Sequence, residues 1–446
     1  MRGLRSFLGL LAILVALGAY LYFVDSKREP GDADKREKVF NVPSDAIEEI
    51  TVKAESGEQT SLKKSGSDWQ IVQPAELQPD SAEVSGLASN LANLEVQRVI
   101  DDKPADLAEY GLATPRVEIG FKAKGQDHKL LLGRKSPTGT DLYAKVGDQP
   151  RVFLISSYLD SSFNKKTFDL RDKTVLKLDR EAIGTLSVIM PAKTLRFSKS
   201  SGEWRITEPV NARADFTSVD GLVSRLNTLQ MKSIAADQPG SLAEFGLDKP
   251  AATIQLGSGS SQATLLVGKA AADNTIYVKD QSRPAVMTID ANLMDELKKD
   301  AGEFRQKDLF DARAFNASRI EVVRNGQSVA FEKIRSKNKE GQDEEKWRQV
   351  APGAQDADQT KVENLLSAVT QTRATSFTDA TAKAGMESPA LRVVIRSGDP
   401  QKEETVTFAK SGDKAFASRA GDPGAAVIEA SAIDNIGKAL DELGKK

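Results

Sequence analysis

Hydrophobic and polar positions recur along this chain in one fixed order, and that order is repeated three times. Each copy opens on one of the chain's three tryptophans: Trp69 begins W-Q-I-V-Q-P, Trp204 begins W-R-I-T-E-P and Trp347 begins W-R-Q-V-A-P. In every copy a Pro follows at the fifth residue after the Trp, an Asp at the eleventh, a Val at the fifteenth and a Leu at the eighteenth. An ungapped register of this kind predicts three tandem copies of one domain of about 130 residues.

The first half of each repeat predicts a three-stranded meander followed by a helix. In the first copy β-forming residues lie at 47–54, 59–64 and 69–72, and Pro74 ends the meander because proline cannot donate to a strand ladder. Apolar residues at helical spacing then indicate one buried helix face. That face consists of Val84, Leu87, Leu91 and Leu94 in the first repeat, of Val219, Leu222, Leu226 and Leu229 in the second, and of Val362, Leu365 and Val369 in the third.

An Asp stands four residues before the Val that opens each helix face. Asp80, Asp215 and Asp358 are therefore predicted N-caps, whose carboxylates accept hydrogen bonds from the free amides of the first helical turn. A metal-binding or catalytic role for the same carboxylates is the alternative. The cap explains their position without either.

The second half of each repeat opens on a second recurrent segment. Residues 107–115 read L-A-E-Y-G-L-A-T-P and residues 242–250 read L-A-E-F-G-L-D-K-P, whereas residues 381–389 keep only the Gly and the Pro. The skeleton predicts a short helical turn that ends at a Gly with positive φ, before a Pro that leads into a strand. Further strands are predicted at 116–121, 128–132, 142–146 and 152–155, and a closing helix at 290–297. The predicted fold class is α+β: three tandem repeats of a mixed antiparallel sheet plus helices, behind one N-terminal transmembrane helix.

The third repeat carries an insertion in its first hairpin. Trp347 lies sixteen positions after Phe331, whereas Trp204 lies seven positions after Phe197. The additional residues lie within R-S-K-N-K-E-G-Q-D-E-E-K, and we expect a charged, mobile loop tip there.

The N-terminal residues differ in kind from the repeats. Phe7 to Val24 carry no charge, and a helix of that length spans about 27 Å, close to the hydrocarbon thickness of a bilayer. We expect an uncleaved anchor, followed by a charged and solvated linker. A cleaved signal peptide is the alternative, although Ala16-Leu17-Gly18 provides its small-residue site only in part. The predicted organisation is a transmembrane anchor at 1–25, a linker at 26–40, and repeats at 41–178, 179–314 and 315–446.

The repeats resemble a bacterial membrane-protein family, the domain of unknown function numbered 4340. The resemblance rests on the W-x-x-x-x-P strand end, the L-A-E-[YF]-G-L-x-x-P segment and the closures Arg171-Asp-Lys173 and Arg305-Gln-Lys307. It covers about residues 45–443, and the third copy is the weakest. It implies an N-terminally anchored protein of the cytoplasmic membrane, with its repeats on the extracytoplasmic, periplasmic side and an ABC-type export complex as a neighbour. It implies no catalytic residue.

Charge alone leaves the orientation of the anchor open. Arg2 and Arg5 favour a cytoplasmic N-terminus, but more Lys and Arg residues follow the span than precede it, and that count favours the opposite orientation. The resemblance, more than the charge count, supports repeats outside the cytoplasm.

Composition excludes several kinds of chemistry. The chain has no Cys, so disulfides, thiolate catalysis and Cys-ligated zinc are excluded. Lys and Arg total 62 against 64 acids, a net charge of −2, which argues against nucleic acid as a partner because phosphate needs a concentrated basic face. No phosphate-binding loop or calcium loop occurs, so we expect no cofactor and no metal site.

The remaining candidates for catalysis are few. His128 is the chain's one histidine, and we interpret it as a solvent-facing residue of a hairpin strand, because one His supports neither a recurrent triad nor a His-based metal site. Glu109 and Glu244 recur beside an aromatic residue and invite a comparison with paired glycosidase carboxylates, but Lys383 replaces them in the third repeat. We expect no catalytic, cofactor-binding or metal-binding residue.

Two hypotheses of function follow. The first is a non-catalytic, membrane-anchored, extracytoplasmic repeat protein that binds or scaffolds a protein partner, an ABC-type export complex, since repeats enlarge a binding surface. The second is a cell-envelope polysaccharide- or peptidoglycan-binding protein, or a glycan hydrolase that uses carboxylates. The second requires a cleft rich in aromatic residues, yet Phe, Trp and Tyr together make up only 6% of the chain. We therefore favour the first.

Overall fold

The structure is a computed structural model that describes residues 36–337, 343–379 and 385–444. The predicted anchor at 1–25 and most of the predicted linker lie outside the described residues. In the part that is described, no helix combines the length and the apolar character that crossing a bilayer requires.

Three antiparallel sheets form the body of the protein, one in each predicted repeat. The first sheet contains β1 (Ile47–Lys53), β2 (Gln59–Ser65), β3 (Asp68–Gln73), β4 (Arg98–Asp101), β5 (Val117–Ala123), β6 (Gln126–Lys135), β7 (Asp141–Val146) and β8 (Val152–Ser156). The second contains β9 (Ile183–Met190), β10 (Lys193–Ser200), β11 (Glu203–Glu208), β12 (Ala212–Arg213), β13 (Ser233–Ala236), β14 (Ala252–Ser258), β15 (Ser261–Ala270), β16 (Thr275–Asp280) and β17 (Val286–Asp290). The third contains β18 (Ala317–Arg324), β19 (Gln327–Lys337), β20 (Asp343–Ala351), β21 (Gln355–Asp356), β22 (Ala374–Thr378), β23 (Leu391–Ser397), β24 (Lys402–Ser411), β25 (Lys414–Arg419) and β26 (Ala425–Ile428).

All three sheets share one topology. In the first sheet the strand order is β3-β2-β1-β5-β6-β7-β8-β4, so two meanders meet where β1 pairs with β5, and β4 returns to the far edge. The α+β repeats predicted from the sequence are confirmed. The short edge strand that follows the helix in each repeat was not predicted, because four or five residues carry too little alternation to be recognised.

Most of the helices are short, but the first and second repeats each have one described helix of about three turns and the third has two. They are α1 (Ser81–Ala92), α2 (Asp160–Phe163), α3 (Thr167–Leu170), α4 (Phe216–Asn227), α5 (Leu293–Leu297), α6 (Ala301–Phe304), α7 (Gln359–Thr370) and α8 (Ser431–Leu443). Single 3-10 turns lie at Ser44–Ala46, Ala108–Tyr110, Ser157–Leu159, Arg180–Ala182 and Ala243–Phe245. The predicted apolar faces of α1, α4 and α7 are buried within the helices. Leu94 and Leu229, predicted on the same faces, lie past the helix ends, and only Leu94 is buried.

The three predicted N-caps are confirmed. Asp80 accepts from the amides of Ala82 and Glu83, Asp215 from that of Ser218, and Asp358 from that of Lys361. Each carboxylate therefore satisfies first-turn amides that have no partner inside the helix.

The described chain forms two compact units, one ending at Lys173 and the other beginning at Thr174. The first unit holds the first sheet, and the second holds the other two. Residues 37–40, predicted as part of a solvated linker, belong to the folded first unit: the Val39 amide donates to the Leu94 carbonyl at 2.8 Å, and Phe40 is buried. An apolar pair, Val39 and Phe40, at the end of the charged run is the physical reason.

The described residues of the insertion in the third repeat are strand rather than loop, which corrects the prediction for them. β19 continues to Lys337 and β20 begins at Asp343, and cross-strand pairing extends from Ala330 opposite Ala351 to those two ends. Opposite charges support the extension, since Arg335 and Glu345 lie 2.9 Å apart. Residues 338–342 lie outside the described residues.

The tryptophans are core residues, although not equally. Trp204 is 2% exposed and Trp347 is 3% exposed, whereas Trp69 is only partly buried against the first core. The indole N–H groups of Trp204 and Trp347 are buried without an acceptor within the described part of the chain. Burial of the ring, and not a hydrogen bond, is therefore what these residues contribute.

We predict that Trp204→Ala lowers the free energy of unfolding of the second unit by about 3–5 kcal/mol through loss of buried ring contacts. Trp204→Phe should lose clearly less, because the indole N–H has no acceptor to give up. Urea unfolding followed by circular dichroism measures both. Red-shifted, readily quenched emission from Trp204 in a variant without the other tryptophans would contradict a core role.

We also predict that Asp215→Ala costs about 0.5–2 kcal/mol of stability, and that Asp215→Ser recovers most of it because a hydroxyl also accepts from the first-turn amide. The Ser218 amide donates to the Asp215 carboxylate at 2.8 Å, so the acceptor and not the charge is what the helix uses. Thermal unfolding of the three proteins decides. An Asp215→Ser protein as unstable as Asp215→Ala would show that the charge is required.

Candidate functional site

A lysine lies opposite each recurrent tryptophan on the neighbouring strand. The cross-strand pairs are Lys64 with Trp69, Lys199 with Trp204 and Lys333 with Trp347. In the second and third repeats the ammonium group lies over the indole ring, at 5.6 Å and 5.2 Å from the ring centroid. Within this distance a cation is attracted by the negative face of the ring.

In the second repeat an exposed phenylalanine adds to this pair. Phe216, the first residue of α4, is 48% exposed, and the Lys199 ammonium lies 5.5 Å from its ring centroid. In the third repeat Gln359 takes the place of Phe216, and its amide group makes hydrogen bonds with the Trp347 backbone at 2.6 Å and 3.0 Å. The exposed ring is therefore specific to the second repeat.

The third repeat has its own exposed ring, on a residue whose backbone contacts the lysine of the same pair. Phe315 is 81% exposed, and its carbonyl accepts from the Lys333 ammonium at 3.3 Å. In the first repeat Lys64 donates in the same way to the carbonyl of Asp45, an acidic residue. We call Lys199 and Phe216 of the second repeat, together with Phe315 and Lys333 of the third, the aromatic–lysine surface.

The L-A-E-[YF]-G-L segments dock onto their own sheets. Gly111 and Gly246 end the 3-10 turns with φ of 68° and 67°, as predicted. A second glycine, which sequence reasoning missed, lies 22 residues further on in both repeats: a Cβ at Gly133 would lie 2.1 Å from the Tyr110 carbonyl oxygen, and one at Gly268 would lie 2.2 Å from that of Phe245. The constant spacing was the signal available for finding it.

This docking explains the recurrence of Glu109 and Glu244 without catalysis. Both residues are exposed on their 3-10 turns, and they belong to different compact units. The neighbouring ring is the part that packs: Tyr110 lies against Tyr143 at 5.1 Å, and Phe245 lies against Tyr277 at the same distance.

His128 is a packed residue rather than the solvent-facing one that we predicted. Its ring stacks on Phe121 with centroids 4.9 Å apart, and it meets the edge of Phe40 at 5.7 Å. The register explains the error, because His128 pairs with the core residue Phe121 and so points to the core side of the sheet. Its Nε2 atom is buried and has no hydrogen-bond partner among the described residues.

Among residues 36–337, 343–379 and 385–444, no group of three or more His, Asp or Glu side chains could hold a metal ion.

A charged junction joins the second and third sheets inside the second unit. Arg213 of β12 reaches Asp422 at 3.0 Å and Asp311 at 2.6 Å, and it donates to the Asp308 carbonyl at 2.8 Å. Arg305 donates to the Pro423 carbonyl at 2.9 Å and lies 3.8 Å from the centroid of the Phe377 ring. Two arginines of the second repeat are thus held by backbone and side chains of the third.

Glu404 lies at the centre of this junction and is 6% exposed. One carboxylate oxygen accepts from the Asp311 amide at 2.9 Å and the other from the Ala312 amide at 2.8 Å, while Arg419 donates to the first at 2.5 Å. Burial by itself raises the pKa of Glu404, but these amides and Arg419 outweigh it and hold the pKa below its ordinary value. Sequence reasoning missed these residues because they do not recur between repeats.

We predict that Glu404→Gln destabilises the second unit by about 1–3 kcal/mol, because one backbone amide loses its acceptor and Arg419 loses its ion pair with Glu404 while it keeps the one with Asp311. A lowered folded-state pKa means that this stability is fully present above the unfolded pKa of a glutamate, about 4.3, and is lost as the pH falls below it. The wild-type advantage over the variant should therefore shrink below about pH 4. Urea unfolding at several pH values measures it.

Glu403→Gln is the matched control. Glu403 is the next residue on the same strand, and its pair with Arg396 is half exposed on both sides. Its removal should change stability by less than about 1 kcal/mol. Equal effects of the two substitutions would contradict a special role for the buried carboxylate.

Comparison with known proteins gives a family but no function. The family described as Domain of unknown function (DUF4340) matches residues 69–203 and 204–384, well over half of the chain. No curated protein matches. A structure of the DNA polymerase III subunit beta from Pseudomonas aeruginosa is 10% identical over 87% of this chain and 93% of that chain, with a TM-score of 0.17.

A second structure from Pseudomonas aeruginosa, a DnaN sliding clamp bound to griselimycin, is 8% identical over 89% of this chain and 93% of that chain, with a TM-score of 0.15. Neither score establishes a shared fold. The family matches begin at Trp69 and Trp204, the two residues at which the sequence pattern itself begins anew. The chain therefore belongs to the DUF4340 family, domains of unknown function.

Proposed function

We propose that this protein is a non-catalytic, membrane-anchored, extracytoplasmic repeat protein that binds and positions a protein partner, a subunit of an ABC-type export complex. The observation that carries the proposal is that recurrent residues and repeat-specific residues have different roles. The side chains that recur between repeats have structural tasks, whereas the exposed aromatic side chains differ from one repeat to the next.

The recurrent residues are accounted for by packing and capping. The tryptophans are core residues, the Asp residues cap helices, and Gly111 and Gly246 end turns that dock on their sheets. An enzyme built from tandem domains would be expected to repeat its catalytic groups, or to gather them in one cleft. The described residues instead repeat the elements that hold a fold together.

The repeat-specific residues have the chemistry of a protein-binding surface. Phe216 exposes its ring beside the Lys199 ammonium group, and Phe315 exposes its ring while its backbone carbonyl accepts from Lys333, so a partner could bury either ring with a cation close by. Aromatic anchors of this kind contribute most of the binding energy in many interfaces. The lysine stems also cover apolar surface while their charges stay in water.

The charged junction supports positioning as well as binding. Arg213 and Arg305 hold the second and third sheets together through side-chain and backbone contacts. Buried, multiply bonded charges resist displacement because separating them leaves charge without a partner. Surface groups of these two repeats are therefore presented at a fixed spacing.

The apolar run at 7–24 supports the anchor, and the family resemblance supports the extracytoplasmic side. We predict that alkaline phosphatase fused after Lys446 is active in cells, and that a fluorescent protein requiring the cytosol stays dark at the same position. A bright fluorescent fusion with an inactive phosphatase fusion would place the repeats in the cytosol and reject this part of the proposal.

We predict that the aromatic–lysine surface contacts the partner directly. A photo-crosslinking amino acid at Phe315 or Phe216 should give discrete adducts with subunits of an export complex in intact cells, identified by mass spectrometry. Phe315→Ser should weaken co-purification from detergent by about tenfold or more, as expected for loss of one aromatic anchor.

Tyr158→Ser is the matched control, since Tyr158 is 71% exposed but belongs to the first unit. An equal loss with Tyr158→Ser would show a nonspecific effect of surface aromatics. Release of soluble sugar fragments from purified cell-envelope glycan by the isolated protein would reject the non-catalytic assignment and support the hydrolase alternative.

A further inference from the structure

Each sheet has an outer face on the side opposite its buried core residues, because side chains alternate between the two sides of a strand. In the second sheet β10, β9, β14 and β15 lie side by side, and their registers place the outer residues in three rows that cross the strands. The first row is Ser198, Thr185, Gly257 and Gln262, the second is Arg196, Ser187, Gln255 and Thr264, and the third is Thr194, Ile189, Thr253 and Leu266. We call these residues the hydroxyl face, because a hydroxyl is their commonest polar group.

The hydroxyl face is uncharged except at its β10 side. Arg196 is its single charged residue, and the guanidinium group pairs with Glu208 of the next strand, β11, at 3.1 Å. In the first row Thr185 and Gln262 are exposed, and Ser187 in the middle row is half-buried among its neighbours. Water therefore reaches a surface of hydroxyl, carboxamide and aliphatic groups.

The equivalent faces of the other two sheets are charged. The four strands pair in the same way in all three sheets, so each position has a counterpart. The first row consists of Lys63, Glu49, Lys122 and Asp127 in the first sheet, and of Glu332, Arg319, Arg396 and Glu403 in the third. In the third row of the first sheet Lys53 pairs with Glu118 at 2.9 Å. One of three equivalent faces thus lacks the charges that the other two carry.

The charges decide what each face can contact. Two sheets that pack face to face lie about 10 Å apart, and their side chains interdigitate without water between them. Charged side chains buried there would lose their hydration, and that cost often exceeds what a new ion pair returns. Hydroxyl and carboxamide groups bear no charge and both donate and accept hydrogen bonds, so they can be buried with partners. Of the three equivalent faces, the hydroxyl face is the one suited to sheet-on-sheet packing.

The same chemistry identifies the occupant. A two-fold dimer brings identical surface patches together, so a group near the axis meets a group of its own kind. Two ammonium groups or two carboxylates repel each other in that position. Two hydroxyls, or two carboxamides, form a hydrogen bond because each has a donor and an acceptor. The hydroxyl face is therefore complementary to itself, and the charged faces of the first and third sheets are not complementary to it.

The size of the hydroxyl face fits the centre of such an interface. Four strands about 4.8 Å apart, each contributing about six residues at about 3.4 Å per residue, cover roughly 400 Å². A dimer interface of standard size buries about 800 Å² on each partner and has an uncharged core within a polar rim. The hydroxyl face supplies the core, and the Arg196–Glu208 pair lies where the rim would begin.

We propose that the hydroxyl face is a homodimer interface, in which the second sheet packs face to face on the second sheet of another copy of this chain. The two-fold axis passes through the middle row, near Ser187 and Gln255, and the strands of the two copies cross at about 30°. This dimer goes beyond the proposed function, which requires only one copy. It would present two aromatic–lysine surfaces in one assembly.

The first test measures the mass of the full chain in detergent by sedimentation equilibrium over a range of concentrations. We expect a reversible dimer, and we expect Ser187→Lys to raise its dissociation constant by about tenfold or more, because two like charges meet at the axis. Thr51→Lys is the matched control, since Thr51 has the same place in the middle row of the first sheet. A wild-type chain that stays monomeric, or equal effects of the two substitutions, overturns the proposal.

A charge exchange separates loss of the interface from loss of folding. Gln255→Glu places an acid beside the position of Ser187, since the two residues pair across β14 and β9. Each variant alone should dimerise poorly, whereas an equal mixture of the Ser187→Lys and Gln255→Glu proteins should form a mixed dimer close to wild-type strength. A dimer that persists unchanged in both variants would lie elsewhere on the chain and overturns the assignment of this face.

Crosslinking locates the contact directly, because the chain has no Cys that could react in the background. Ser187→Cys treated with a short bismaleimide should give a covalent dimer in intact cells, and Thr51→Cys should not. Dimer from Thr51→Cys but not from Ser187→Cys overturns the proposal. So does a Ser187→Cys adduct that joins this chain to a different protein, because the hydroxyl face would then bind that protein instead of a second copy.

Discussion

Each sheet of this protein has one apolar face, and covering that face is the constraint on which the rest of the structure depends. A single helix of three turns is too small for the task. In the first two repeats a short segment after the last helix, residues 170–173 or 304–307, also covers this face. It buries Leu170 or Phe304, whose backbone carbonyl accepts from the amide of the capping Asp. The capping Asp of these two repeats thus has two roles. Its carboxylate accepts from the first-turn amides of the helix, and its backbone amide donates to the segment that ends the repeat. Helix, sheet and closure meet at that residue, which explains its strict position after the Trp.

The sequence predicted the repeated parts of the fold and missed the parts that occur once. The Trp register, the Asp caps and the positive-φ Gly of each turn could be found because three copies of the pattern can be compared within one chain. Short edge strands, such as Ser233–Ala236, were missed because they have too few residues to show a period. The insertion in the third repeat was interpreted as a loop because it is highly charged, although its described residues extend two strands that the Arg335–Glu345 ion pair links.

The candidate sites were harder to predict for a related physical reason. Glu404 and Arg213 act through partners far away in sequence, and each occurs in only one repeat, so no internal comparison reveals them. His128 was placed on the wrong side of its strand because a one-residue change of register reverses the direction of every side chain. No pattern in the sequence distinguishes Phe216 and Phe315 from the other phenylalanines. Only their exposure beside a lysine sets them apart, and exposure belongs to the fold.

The packing of residues 37–40 onto the first unit has a mechanical consequence. Glu37 is held by both guanidinium nitrogens of Arg151 at 2.8 Å, Val39 bonds to Leu94, and the buried Phe40 ring packs edge-on against Phe121 at 4.9 Å. A pulling force applied to the chain ahead of Glu37 would load these contacts before it reached β1. The Glu37–Arg151 ion pair and the Phe40 ring contacts would break first, so tension from the N-terminal side would detach residues 37–40 while the first sheet stayed intact.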